Sequence, residues 1–156
     1  MGFFTTLRIG ASALTAQRLR MDVISNNIAN VNTTRSAGGG AFKRQQVVFS
    51  PREASLPAIM AADTLSPARF GSRAASELVG LGVQVEQIVE DNAPGARTYQ
   101  PDHPDADADG FVTYPNVNVV TEMVDMMAAS RAYEASVATI SAAKSMAQKA
   151  LELGRA

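Results

Sequence analysis

The chain has 156 residues, the length of one ordinary domain, and its formal net charge is −1 at pH 7. Aromatic residues make up 6% of it and tryptophan is absent, so the bulky side chains that line a deep ligand pocket are scarce. Cysteine is also absent, which excludes disulfides, thiolate chemistry and zinc sites built on cysteine.

No stretch of the sequence approaches the roughly 20 consecutive apolar residues that cross a bilayer, so we do not expect an integral membrane protein. The first residues also lack the charged and apolar regions of a cleavable secretion signal. Residues 1–35 carry four arginines and one aspartate, a net charge of +3. These arginines are spread along a predicted helix without interleaved aromatic residues, which argues against nucleic-acid binding.

The first predicted element is a helix that starts near Phe3 or Thr5 and ends near Ile28 or Ala29, because no proline interrupts it. Apolar side chains recur every seven residues along this helix, and a neighbouring row lies on the same face. Four asparagines and three hydroxyl residues among residues 25–34 predict that the chain leaves the helix there. The apolar face is half of a predicted assembly interface, formed by Leu7, Leu14, Met21, Ile24, Ile28 and Val31.

Three short strands are predicted in the middle of the chain. Residues 41–49 are rich in β-forming side chains between glycines and a proline, and residues 111–114 end at a proline. Residues 80–89 alternate apolar and polar side chains from Leu81 to Val85 and then change phase, as at a β-bulge. Residues 51–79 have no clean periodicity, so we expect a flexible, irregular segment there. The outcome is a small antiparallel β element.

The last predicted element is a helix that ends near Gly154 and begins after residues 114–118, where Asn116, Asn118 or Thr121 can cap it. Its apolar residues fall at alternating spacings of four and three, the period of a coiled-coil seam. Ser130 and Lys144 interrupt this seam. Its other members complete the predicted assembly interface: Val119, Met123, Met126, Tyr133, Val137, Ile140, Ala147 and Leu151.

These elements predict an α+β protein in which helices from the two ends of the chain pair in a coiled-coil-like manner. Residues 1–34 and 117–156 then form one discontinuous helical assembly domain. Residues 35–116 form an inserted β-rich element that contains the flexible segment 51–79. A second interpretation is a self-contained helical hairpin, in which the alanines of the last helix reflect helix propensity alone.

One acidic loop resembles a metal site. Asp105, Asp107 and Asp109, followed by Gly110, match the first half of an EF-hand loop, in which alternate carboxylates bind Ca²⁺. The twelfth position counted from Asp105 is Asn116, which cannot supply the bidentate carboxylate that such a loop requires. We therefore interpret the loop as solvated, and keep its three aspartates only as weak candidates for a metal site.

No pattern typical of catalysis is present in the sequence. The single histidine, His103, is not accompanied by a nucleophile elbow, and the three consecutive glycines at residues 38–40 lack the lysine of a phosphate-binding loop. We therefore predict no catalytic residue and no cofactor, and we do not expect an enzyme.

Four stretches of the sequence resemble a known family. SNNIANVNT at residues 25–33 is similar to the N-terminal signature of bacterial flagellar rod and hook axial proteins. FKRQQVVF at residues 42–49, HPDADADGFVTYPNVN at residues 103–118 and VTEMVDMMAASRAYEASV at residues 120–137 resemble further stretches of that family. The signature residues are Ser25, Asn26, Asn27, Ile28, Ala29, Asn30, Val31, Asn32 and Thr33.

This resemblance implies a structural subunit of the proximal rod of the flagellar basal body, which assembles through its terminal helices and transmits torque. It implies a location in the rod, across the periplasmic space, and export by the flagellar type III apparatus. The implied partners are other copies of the chain, other rod proteins, the adaptor between rod and MS ring, and the MS ring itself. The residues alone leave one alternative, a non-enzymatic protein- or calcium-binding module built on a helical hairpin.

Overall fold

The computed structural model describes residues 3–36, 38–52 and 81–154. Within these residues two helices enclose four short strands in chain order, which confirms the predicted α+β class. Residues 53–79 of the segment predicted to be flexible lie outside the described residues. The elements are α1 (Phe3–Ala29), β1 (Gln45–Pro51), β2 (Val83–Glu90), β3 (Arg97–Tyr99), β4 (Phe111–Thr113) and α2 (Val119–Leu153).

The first and last residues of both helices agree with the sequence prediction. The asparagine cluster forms the end of α1. The carbonyl oxygen of Asn26 accepts from both the backbone amide and the side-chain amide of Asn30, at 3.1 and 2.9 Å, so the side chain adds a second bond at the helix end. The hydroxyl of Thr33 then donates to the side-chain oxygen of Asn30 at 3.1 Å. Among the described residues, only glycines have a positive φ, so these asparagines turn the chain without left-handed geometry.

The strands form two sheets of two strands each within the described part of the chain. In the first sheet, the amide of Arg52 donates to the carbonyl of Gly82, and that of Asp91 donates to the carbonyl of Arg44, so β1 and β2 run antiparallel. The predicted start of β1 at residue 41 was wrong, because the strand begins only at Gln45. The β-bulge predicted in β2 stays a prediction.

The second sheet is the antiparallel hairpin of β3 and β4, with Arg97 opposite Thr113 and Tyr99 opposite Phe111. Strand β3 was not predicted from the sequence. The rings of Tyr99 and Phe111 meet edge to face with centroids 5.3 Å apart. On the other side of the hairpin, Val112 is completely buried, which anchors the sheet to the interior of its unit.

The chain divides into two compact units. Unit 1 comprises Met1–Ala16, Phe49–Val85 and Tyr133–Ala156, and unit 2 comprises Gln17–Val48 and Glu86–Ala132. The division falls within both helices and within β1 and β2, so each unit contains a part of these four elements. The predicted division into residues 1–34 plus 117–156 and residues 35–116 stays a prediction.

In unit 1, α1 approaches α2 closely at Gly10. A Cβ atom at this position would lie 2.6 Å from Cγ1 of Ile140, so the contact requires glycine. The hydroxyl of Ser12 donates to the carbonyl of Ile9 at 2.7 Å and accepts from the amide of Val83 at 3.2 Å. One serine of α1 thereby holds the first residue of β2.

Gly82, which precedes β2, offers a test of this packing. Its φ of +96° and its contact with the Ser12 hydroxyl both disfavour a side chain, whereas Gly40, with a φ of +78°, faces open space. We expect Gly40→Ala to lower the free energy of unfolding by about 1 kcal/mol, through backbone strain alone. We expect Gly82→Ala to lower it by about 3 kcal/mol, because a clash adds to the strain. Urea unfolding followed by circular dichroism measures both, and equal losses would contradict the described contact.

Candidate functional site

The centre of the candidate site is Asn27, a completely buried residue in the last turn of α1. Its side-chain oxygen accepts from the amide of Gln45 at 2.9 Å, and its Nδ2 donates to the carbonyl of the same residue at 2.8 Å. The asparagine side chain thus binds both backbone groups of the first residue of β1, as a neighbouring strand would. This contact positions the start of β1 against the end of α1.

Glu122, in the first turn of α2, is 1% exposed and lies beside Asn27. Its Oε2 accepts from Nδ2 of Asn27 at 3.0 Å, and its Oε1 accepts from Nε of Arg44 at 2.6 Å. Burying a carboxylate is costly unless the carboxylate is paired with a cation and hydrogen-bonded. Both conditions are met here, so Glu122 joins α2 to the other two segments.

Arg44 lies between two carboxylates, because its NH2 atom is also 3.5 Å from Oδ2 of Asp125. The other oxygen of Asp125 accepts from NH2 of Arg20 on α1 at 3.1 Å. Two cations therefore alternate with two anions, and their formal charges cancel. We call Arg20, Asn27, Arg44, Glu122 and Asp125 the polar cluster.

The backbone of Arg44 is held as firmly as its side chain. Its amide donates to the side-chain oxygen of Asn116 at 3.0 Å, and its carbonyl accepts from the amide of Asp91 at 2.7 Å. The amide of Arg44 is therefore occupied by a side chain rather than by a strand, which accounts for the late start of β1. All of these residues belong to unit 2.

The cap of α2 is Asn118, one of the three residues that the sequence left open. Its Oδ1 accepts from the amides of Val120 and Thr121 at 3.0 and 3.3 Å, which satisfies two free donors at the start of the helix. Glu122 and Asp125, in the first two turns of α2, suit the positive end of the helix dipole. Their pairing with arginines in the polar cluster is the larger contribution, and the sequence analysis missed it.

Two of the three aspartates of the acidic loop bind different partners. Asp105 accepts from the hydroxyl of Thr34 at 2.7 Å, and Asp107 lies 3.3 Å from the guanidinium of Arg97. No group of three or more histidine, cysteine or carboxylate residues in the described ranges is arranged to hold a metal ion. The loop is the connection between β3 and β4, and the weak candidates Asp105, Asp107 and Asp109 do not converge there.

The predicted assembly residues differ in exposure. Ile24 is buried, and four members of the predicted seam on α2 are exposed: Val119, Met123, Val137 and Leu151. The remaining members are half-buried: Leu7, Leu14, Met21, Ile28, Val31, Met126, Tyr133, Ile140 and Ala147. Their contacts with another subunit stay a prediction.

The covered side of α2 is offset from the predicted seam. We call it the inner face, and its members are buried or half-buried: Glu122, Met126, Ala129, Tyr133, Ser136, Ile140, Ala143 and Ala147. It shares every second position with the predicted seam. At the intervening seam positions from Met123 to Lys144, the residue one place earlier is the more covered of the two: Ala129 is buried, for example, whereas Ser130 is half-buried.

A second apolar surface of α2 lies on the side away from Glu122. Val120, Met123, Val124 and Met127 are 71%, 55%, 56% and 55% exposed. Their spacing of three and four residues places them on one side of the helix. We call these four residues the outer apolar face, and all of them belong to unit 2. None of the described helices is both long and apolar enough to span a membrane.

Two family models match the two ends of the chain. The model described as "Flagella basal body rod protein" matches residues 7–35, and "Flagellar basal body rod FlgEFG protein C-terminal" matches residues 108–153. The flagellar basal-body rod protein FlgC of Borreliella burgdorferi is 44% identical to the chain, with 98% of each chain covered. FlgC of Bacillus subtilis is 41% identical, with 99% of this chain and 100% of the relative covered. FlgC of Escherichia coli O6:H1 is 36% identical at the same coverage.

The chain belongs to the FlgC family of flagellar basal-body rod proteins. It is therefore a structural component of the flagellar basal body that assembles with other components of the rod, and it is not an enzyme. This membership confirms the resemblance drawn from the sequence. The stretches that carried the resemblance contribute Asn27, Arg44, Asn116, Glu122 and Asp125, so they meet at the polar cluster and its immediate surroundings.

The polar cluster predicts a large effect of one substitution. We expect Arg44→Ala to lower the free energy of unfolding by about 3–5 kcal/mol, because it leaves the buried carboxylate of Glu122 without its cation. Arg35→Ala is the matched control, since this side chain is 80% exposed and lies 3.8 Å from Asp105. We expect a change within about 0.5 kcal/mol for the control. Urea unfolding measures both, and a loss below that of the control would contradict the assigned role of Arg44.

A calcium titration tests the acidic loop. Because the three aspartates do not converge, we expect calcium at about 1 mM to leave the thermal unfolding midpoint unchanged. The control is the variant Asp107→Asn/Asp109→Asn, which removes two of the three carboxylates. A calcium-dependent rise of the midpoint that this variant abolishes would restore the metal-site interpretation.

Proposed function

We propose that the chain is a subunit of the proximal rod that binds neighbouring subunits through the outer apolar face of α2. The observation that carries this proposal is the exposure of four large apolar side chains over two turns of a helix whose opposite side is buried. Contiguous exposed apolar side chains on a folded chain mark sites of protein contact. The family membership states what is assembled, and this face is our proposal for where the contact lies.

The size of this face favours contact within a polymer over a pair of free copies. Covering a side chain that is about half exposed contributes roughly 1 kcal/mol, so the four contribute on the order of 4 kcal/mol. Association costs about 4–15 kcal/mol in lost freedom of movement. One such contact therefore does not hold two copies together, whereas several contacts made at once by each subunit do.

The polar cluster supports the proposal that the rod transmits torque. It joins the end of α1, the start of β1 and the start of α2 through hydrogen bonds of 2.6–3.1 Å and a further ion pair. A fully paired polar network of this kind stiffens the structure that contains it. The outer apolar face begins at Val120, two residues before Glu122. It therefore lies on the part of α2 that the polar cluster holds rigid.

The finer assignments rest on family membership. We propose as neighbours other copies of the chain, other rod proteins, the adaptor between rod and MS ring, and the MS ring, and we propose export by the flagellar type III apparatus. Three of the buried apolar residues in the described part of the chain are alanines: Ala16, Ala129 and Ala143. Such small side chains bury little apolar surface, which suits a chain that must unfold for export.

One substitution tests the assembly face. We expect Met127→Asp to reduce the amount of the chain recovered in purified basal bodies at least about tenfold, because it places an unpaired charge in a buried contact. Motility of a strain that lacks its own copy should not be restored. Thr121→Asp is the matched control: it adds the same charge to the same helix at an exposed position outside this face, where the helix dipole favours an acid.

The two variants are compared after circular dichroism has shown that both purified chains keep their helical content. Normal incorporation of Met127→Asp would contradict the proposed face. Equal loss in the control would mean that added charge, and not this face, disturbs assembly. Met126 and Ile140 are unsuitable for the test, because both are partly covered within the chain.

A further inference from the structure

We propose that the polar cluster selects the rotation of α2 about its own axis, and thereby determines which of its apolar side chains stay exposed. The inference does not depend on the proposed assembly face. The sequence of α2 offers two sides that could pack inward, the predicted seam and the inner face, and the inference concerns which of them does.

The two sides overlap within unit 2. The predicted seam uses Val119, Met123 and Met126, whereas the inner face uses Glu122, Met126 and Ala129. Consecutive residues of an α-helix are about 100° apart, so the centres of the two sides differ by about 50°. Met126 lies on both, and it is half-buried.

Hydrophobicity alone favours the side that is not used. Val119 and Met123 would bury more apolar surface than Ala129 does, and Glu122 is costly to bury. In the observed rotation, Val119 and Met123 stay 38% and 55% exposed. Another interaction must therefore hold the less apolar side of α2 inward.

The bonds of Glu122 are directional and provide that interaction. Turning α2 by about 50° would move the carboxylate away from both Asn27 and Arg44. Asn27 would then keep only its bonds to Gln45, and Arg44, whose side chain is 20% exposed, would lose its principal partner. Polar residues in an otherwise apolar helix contact are known to select one register at a cost in stability.

Asp125 reinforces this choice from the next turn of the helix. It pairs with Arg20 of α1 at 3.1 Å and with Arg44 at 3.5 Å. Both side chains of the Arg20–Asp125 pair are 34% exposed, so this second anchor is weak and Glu122 provides most of the selection. Glu122 and Asp125 both lie on the side of α2 that faces α1. Met123 takes part in neither of these two interactions.

The native methionines report the rotation. In the wild-type chain we expect peroxide to oxidise Met123 and Met127 faster than Met126, as their exposure dictates. In the variant Arg44→Met/Glu122→Ala, α2 should turn and cover Met123, while Met127 stays exposed. The oxidation rate of Met123 relative to Met127 in the same sample should then fall about threefold or more. Mass spectrometry of peptides measures each rate.

The matched control is Arg131→Met/Glu134→Ala. It removes the same two side-chain types at exposed positions of α2 outside the polar cluster, and it should leave all the rates as in the wild type. An unchanged ratio in the cluster variant with full helical content would overturn the proposal. Loss of helical content would overturn it too, because the alternative side would then be unable to hold the helix. Equal rates for Met123 and Met126 in the wild type would also overturn it.

A second variant tests the same point through stability. Met123→Gln should change the urea midpoint of the wild-type chain only slightly, because Met123 is 55% exposed there. In the background of Arg44→Met/Glu122→Ala, the same substitution should lower the midpoint, because Met123 is then buried. Equal effects in the two backgrounds would overturn the proposal.

Discussion

The buried carboxylate of Glu122 is the constraint on which the rest of unit 2 depends. A carboxylate that is 1% exposed must be paired, and the pairing brings Arg44 from the start of β1 and Asn27 from the end of α1 to the same point. Each partner also makes a second contact. Asn27 binds the backbone of Gln45, and Arg44 pairs with Asp125. One costly group thus specifies how three segments meet.

The same arrangement separates the two sides of α2 by chemistry. On its inner face the fully buried residues are Glu122 and two alanines, Ala129 and Ala143, whereas the larger apolar side chains are only half-buried. Its outer apolar face carries valines and methionines that the chain itself leaves exposed. This distribution suits a structural subunit of the flagellar rod, because the exposed apolar side chains are available for the contacts with neighbours that we propose.

Local patterns explain what could be predicted. Both helices were predicted with nearly correct bounds, because heptad spacing, the asparagine cluster and the Asn118 cap act within a few residues. Strand β3 was missed because its three residues are all exposed and show no alternation. The inner face of α2 was displaced from the predicted seam because periodicity counts apolar residues, and Glu122 is not one of them.

The sequence by itself determined the α+β class, the two long helices and the family, since each rests on short stretches whose residues need no distant partner to be recognised. Only the tertiary structure decided which side of α2 faces inward, where β1 begins and which role Asn27 has within its signature. The physical reason is separation along the chain. Arg44 and Glu122 are 78 residues apart, and Asn27 and Glu122 are 95 residues apart. A buried charge is tolerated only where a partner of opposite charge lies beside it. The residues next to Glu122 in the sequence do not reveal that Arg44 is this partner.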